Sequence, residues 1–297
     1  MASLTLAVST GNQQVDAILT GTIGLLETIL PGRIRAYYLH GSFYDHTGIE
    51  TSDIDLFVVA RENFSTAERT QIQQIMHYCA LFSPFMAELN ALDETSLLKN
   101  GHYRIKSASN LVWGEDIREQ LPVQSFEQYL QFYAAFPFIY SVNMLRNRDS
   151  IELPLAYPDP EGEFYGYDQA LMPPQNERRR NIKKFVTNMC WIATLLIAWK
   201  AGKEVEGKQA SIQLYRQYVN DEWSDFVEEV YSWGNQRWHY LIPEQPEERR
   251  RLRKLCQQAL AFEQHYLDLY VRYLQAEIAS VGPGARAAAQ KLAQIRA

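Results

Sequence analysis

The chain has 297 residues, length enough for two domains of ordinary size. Its 46% hydrophobic and 22% charged residues give the balance of a soluble globular protein. A net charge of −6, from 35 acidic and 29 basic side chains, argues against a nucleic-acid partner, whose non-specific affinity needs clustered Lys and Arg.

Cys79, Cys190 and Cys256 are far apart and lack CxxC or CxxH spacing, so neither a zinc site nor a disulfide framework is expected. The opening MASLTLAVST lacks the charged and apolar regions of a secretory signal. Met189 to Trp199, the longest apolar stretch, is broken by Thr194 and is too short to span a bilayer. The expected location is the cytoplasm, with no membrane partner.

Val15, Ile18, Leu19, Ile23, Leu26, Ile29 and Leu30 recur at helical spacing and predict a helix closed by Pro31-Gly32. Ile34 to His40 reads as a strand, Gly41-Ser42 follows it directly, and Asp53 to Ala60 reads as a second strand. Ser65-x-x-Glu68 is a capping box that opens a helix running to about Phe82. Pro84 to Leu92 reads as a third strand, and Ile105 to Trp113 holds a weaker fourth. From about Ser125 the pattern turns helical, over 125–147, 176–201, 208–219, 222–233 and 246–276. Glu152 to Pro174 reads as a loop, and Gly282 to Ala297 as a loosely held helix or tail. The expected fold is α+β: an N-terminal α/β domain with a small mixed sheet over 1–120, then an α-helical domain over 121–297.

Asp53 and Asp55 carry the chemistry. Residues two apart on a strand share a face, about 6–7 Å apart along it. Leu56-Phe57-Val58-Val59 makes this a strand covered on both sides. At ~4 Å and an effective dielectric of 20, two such carboxylates repel by about 4 kcal/mol. A cation resolves that conflict, and Mg²⁺ takes one or two carboxylates with phosphate oxygens and water. Gly41-Ser42 adds a turn whose backbone can approach a phosphate, with one hydroxyl donor.

The segment 41–56, GSFYDHTGIETSDIDL, resembles the signature of the DNA polymerase beta-like nucleotidyltransferases. Its spacing is most similar to that of the aminoglycoside adenylyltransferases acting on streptomycin and spectinomycin. The resemblance implies an N-terminal nucleotidyltransferase domain in which Asp53 and Asp55 hold Mg²⁺ and Gly41 and Ser42 cradle a nucleoside triphosphate such as ATP. It also implies a third carboxylate on a later strand, as metal ligand, general base or both. Glu88 is the match, since it shares a face with Met86 and Asn90, with Asp93 and Glu94 as rivals that read as turn residues. Residues 199–210, WKAGKEVEGKQA, resemble a segment whose lysine reaches the phosphates in that family; Lys208 is the counterpart and Lys203 the neighbour.

The chain departs from the pattern by placing Phe43 and Tyr44 after Gly-Ser, with Gly48 displaced, so the shape of the triphosphate or acceptor pocket is in question. His40 and His46 read as structural histidines rather than phosphate ligands. Arg178-Arg179-Arg180 and Arg249-Arg250-Arg251 read as solvated first turns of helices beside acids. The acidic, aromatic segment EGEFYGYD, 161–168, reads either as a lid for a cationic acceptor or as a surface loop. The expected reaction moves AMP from ATP to a hydroxyl of a small acceptor such as an aminoglycoside. The alternatives are adenylylation of a partner protein and a non-catalytic nucleotide-binding module. The sequence is silent on oligomeric state.

Overall fold

The computed structural model describes residues 4–83, 85–172, 179–280, 282 and 284–296. They divide into two compact units, the first reaching Ser125 and the second comprising Phe126–Leu171 and the chain from Arg180 onward.

The first unit opens with α1 (Gln13–Ile29), whose first amides at Gln14 and Val15 are accepted by the Asn12 side chain. Val15, Leu19, Ile23 and Leu26 form its buried stripe, and Gly32 takes a positive φ of 69° in the turn beyond it. β1 (Ile34–His40), β2 (Ile54–Ala60), β3 (Ala87–Asp93) and β4 (Asn110–Gly114) build one sheet of order β3-β2-β1-β4. β1 pairs antiparallel with β2 and β4, while β2 and β3 run parallel. The β2–β3 crossover is α2 (Thr66–Phe82), which opens on the expected capping box: Ser65 Oγ accepts from the Glu68 amide, and Glu68 accepts from the Ser65 amide.

The sheet is covered on both faces. One face buries Tyr37, Leu39, Leu56 and Val58 with the stripe of α1 and Ile72 and Ile75 of α2. The other buries Ala36, Tyr38, Phe57 and Val59 against Leu97, Ile105, Ile117 and Leu121. Those last residues come partly from α3 (Glu94–Asn100) and α4 (Tyr103–Ser107), two short helices absent from the sequence reading. Asp93 caps α3 through the Ser96 amide and His102 caps α4 through the Ile105 amide. Residues 105–107, expected in the fourth strand, are therefore helical, and the strand starts at Asn110. β3 likewise starts at Ala87; Pro84 lies outside the described residues.

The second unit is helical. α5 (Phe126–Ile139) carries Pro137 and widens into a π-turn over Tyr140–Met144, as expected where a proline interrupts the i→i−4 ladder. α6 (Lys183–Ala201) is buried on nearly all sides from Phe185 to Ala198. Its start corrects the reading of a helix from 176: Arg179–Asn181 is a short strand, and 176–178 lie outside the described residues. α7 (Lys208–Tyr218), α8 (Ser224–Tyr231), α9 (Pro246–Ala279) and α10 (Ala285–Leu292) follow. The C-terminal stretch is held rather than loose, because Ala288 is buried and Ile295 pairs with Ile151 in a short parallel ladder.

Glu263 of α9, fully buried, accepts from Arg146 Nη2 at 2.9 Å, Tyr167 OH at 2.6 Å and Asn188 Nδ2 at 2.9 Å. With Arg146 Nη1 also donating at 3.2 Å, four donor atoms on one buried carboxylate meet the requirement that an interior charge be paired and bonded. Tyr167 belongs to the acidic, aromatic segment, which is strapped along α9: Glu163 pairs with Arg249, and Tyr165 OH accepts from Gln257 at 2.7 Å. Among the described residues no helix is long and apolar enough to cross a membrane.

Candidate metal and phosphate site

The strand register assembles the site. His40 stands opposite Asp55 in the β1–β2 pair, and Asp55 stands beside Glu88 in the β2–β3 pair. Paired residues point to the same face, so Asp53 at the entry to β2, Asp55 and Glu88 project from the face that α3 and α4 cover farther along the sheet. One ligand oxygen from each of these three carboxylates lies within 4.8 Å of the others. At ~5 Å and an effective dielectric of 20, each such pair repels by about 3 kcal/mol. Three hard oxygen donors at that spacing fit a divalent cation of the Mg²⁺ class.

Gly41 follows β1 at φ 72°, a left-handed conformation that glycine adopts without strain. It opens a single 3₁₀ turn over Gly41–Phe43, closed by the amides of Tyr44 (3.1 Å) and Asp45 (3.3 Å) donating to the Gly41 carbonyl. A Cβ on Gly41 would sit 2.0 Å from Asp55 Oδ2. The Gly-Ser turn and Asp55 thus touch, although thirteen residues of sequence lie between Gly41 and Asp55.

His40 is buried and stacks on Phe57 at 3.9 Å between ring centroids. Burial first, then the positive Arg104 and the neighbouring His102, push its pKa down to about 3, while Asp53 opposes them. His102 packs edge-on to Phe57 at 4.9 Å, and burial pushes it down to about 4. Both imidazoles are neutral at pH 7. His46 is exposed at φ 59° in the following loop. Asp93 and Glu94, the rival acids, are accounted for as a helix cap and as a partner of Arg35 at 3.3 Å.

The unusual Phe43 is a core side chain, 5% exposed and edge-on to Phe85, and does not crowd the turn. The displaced Gly48 lies against its ring: a Cβ there would meet Phe43 Cδ1 and Cε1 at 2.6 Å. Sequence reading singled out neither this contact nor His102 and Arg104. The misplaced glycine was the available signal for the first, while no motif marks α4.

The structure brings Gly41, Ser42, Asp53, Asp55 and Glu88 together within the first unit. Lys208 belongs to the second, as the first residue of α7, with Nζ donating to Tyr240 OH at 3.1 Å and lying 5.2 Å from that ring's centroid. Lys203 is exposed, its ammonium 5.8 Å from the Tyr218 ring. In the Arg249–Arg251 cluster, Arg250 pairs with Glu247 and Arg251 with Glu229, as expected of solvated charges beside acids.

Residues 26–99 match the family model of the polymerase beta nucleotidyltransferases. No curated protein sequence matches the chain. Among solved structures, the spectinomycin adenyltransferase AAD(9) from Enterococcus faecialis, captured with ATP and spectinomycin, superposes at a TM-score of 0.50 and 11% identity, over 82% of this chain and 97% of that one. The likeness is one of fold. A toxin-antitoxin structure with AMP-PNP shares 19% identity at a TM-score of 0.28, over 40% of this chain and 93% of that one.

Proposed function

We propose that this chain, whose residues 26–99 are a nucleotidyltransferase domain of the polymerase beta type, transfers AMP from ATP to a hydroxyl of a small-molecule acceptor such as an aminoglycoside. The observation that carries the reading is the contact of the Gly41 turn with an acid triad whose ligand oxygens lie within 4.8 Å of one another.

In this reading Asp53, Asp55 and Glu88 hold Mg²⁺, and the Gly41 amide and Ser42 hydroxyl donate to the triphosphate. The cation, when bound, neutralises charge on the triphosphate and on the departing pyrophosphate. Glu88, the most exposed of the three acids, accepts the proton of the acceptor hydroxyl. The hydroxyl oxygen bonds to the α-phosphorus as the bond to the bridging oxygen breaks, and pyrophosphate leaves with that electron pair. The AAD(9) complex with ATP and spectinomycin supports the choice of nucleotide and acceptor class by analogy of fold.

The test is pyrophosphate release from each α-labelled nucleoside triphosphate with Mg²⁺, with and without an aminoglycoside panel, using Asp53→Asn as control. Label transferred to a panel member establishes the reaction, and retained transfer in Asp53→Asn refutes the assignment of the site. Label appearing instead on a protein in cell extract replaces the small acceptor with a partner protein.

A further inference from the structure

We propose that Phe43 is a positioning residue that sets the Gly41-Ser42 turn against the acid triad, and that Gly48 is glycine to admit its ring. The inference rests on the nucleotidyl-transfer reading above and assigns that site a device of its own.

Three segments must be held in register for the site to exist: the turn after β1, the approach to β2 and the approach to β3. The Phe43 ring touches all three. It is the third residue of the 3₁₀ turn that Gly41 opens, so its side chain anchors the turn in the core between the sheet, α1 and α2. On the β2 side it lies against Gly48, where a Cβ would meet two ring carbons at 2.6 Å. The φ of Gly48 lies outside the left-handed region, so backbone conformation alone does not demand glycine there; the ring does. From Gly48 the chain enters a turn in which the Ile49 amide donates to Ser52 Oγ at 3.0 Å and the Ser52 amide to the Ile49 carbonyl at 2.9 Å, one residue before Asp53. On the β3 side Phe43 packs edge-on to Phe85 at 5.5 Å, three residues before Glu88. The Ile54 amide, between the two aspartates, donates to the Met86 carbonyl at 2.8 Å and ties the last two approaches together.

A close-packed ring transmits displacement because the interior has no slack to absorb it. Shifting the ring moves the Gly-Ser turn relative to Asp55 and Glu88, whose mutual spacing is fixed by the β2–β3 ladder that begins one residue after Asp53. Metal binding and nucleotide binding therefore separate: the acids keep their geometry while the triphosphate loses its cradle.

The experiment compares the wild type, Phe43→Leu, Gly48→Ala and the double variant in the full chain. Mn²⁺ binding without nucleotide is read by paramagnetic resonance, Mg²⁺·ATP binding by calorimetry with a non-hydrolysable α,β-methylene analogue, and folding by the melting transition. Each single variant should keep Mn²⁺ affinity within a factor of about three while losing about tenfold to 100-fold in nucleotide affinity, the range a displacement on the order of 1 Å produces. The double variant should recover part of the Gly48→Ala loss, because leucine leaves room for the added methyl. Unchanged nucleotide affinity in both single variants overturns the proposal. So does parallel loss of Mn²⁺ and nucleotide binding with melting, which marks Phe43 as a core residue and nothing more. A wild type that binds Mn²⁺ but no nucleoside triphosphate overturns the nucleotidyl-transfer reading itself, and this inference with it.

Discussion

A Cβ on Gly41 would lie 2.0 Å from Oδ2 and 2.9 Å from Cγ of Asp55, so the Gly-Ser turn and the acid strand meet where only a hydrogen fits. Alanine at 41 would face that clash together with the strain of φ 72°. Gly41→Ala is expected to cost about 1–3 kcal/mol of stability, the usual toll of a forced backbone conformation. Nucleotide transfer should fall by about 100-fold, because the Asp55 carboxylate must swing away. Urea unfolding read beside pyrophosphate release checks both effects; an alanine variant with full activity would refute the contact.

In the proposed reading, a bound cation relieves like-charge repulsion among Asp53, Asp55 and Glu88. Asp55→Asn should therefore raise stability in EDTA by on the order of 1 kcal/mol relative to the wild type. Added Mg²⁺ should raise the melting temperature of the wild type and leave the variant almost unmoved, since a ligand stabilises only the state that binds it. Scanning calorimetry with and without Mg²⁺ decides, and equal Mg²⁺ shifts in both proteins would remove Asp55 from the site.

Glu68 supplies a pH signature remote from the site. The Arg33 hydrogen bond at 2.7 Å, followed by the bonds to Ser65, pulls its pKa down to about 2 from an ordinary value of 4.5. A carboxylate depressed by folding stabilises fully above its unfolded pKa and loses that contribution as pH falls toward its folded one. The stability gap between wild type and Glu68→Gln should thus be constant above about pH 5.5 and close between about pH 4.5 and 2. A gap independent of pH across that window would show that the ion pair contributes nothing.

Buried polar pairing holds the helical unit. Glu263→Leu leaves the Arg146 guanidinium, 5% exposed, without its carboxylate, and should cost about 3–5 kcal/mol in urea unfolding. Adding Arg146→Met should return a large part of that loss, since the penalty is the stranded charge rather than the missing bond. A double variant as unstable as the sum of the singles would assign the loss to packing.

How much of this was legible beforehand follows from range. The amphipathic stripe of α1, the Ser65–Glu68 capping box and the two-residue spacing of Asp53 and Asp55 are set within a few residues, and the structure forms all three. The short helices α3 and α4 escaped because five to seven residues show no periodicity, and their caps, Asp93 and His102, look like ordinary polar residues. The C-terminal tail looked unheld because its partners, α9 and Ile151, are contributed from elsewhere in the chain.

The sequence by itself determined which residues carry acids, which turn precedes them and where strands alternate with helices, because these depend on side-chain chemistry and local backbone preference. Only the tertiary structure decided that Glu88 stands beside Asp55, that Gly41 needs to be glycine on account of Asp55, and that Phe43 goes into the core with Gly48 making room for it. Those relations are strand register and packing. They are fixed when segments distant in sequence compete for the same few ångströms, and no local pattern records the outcome.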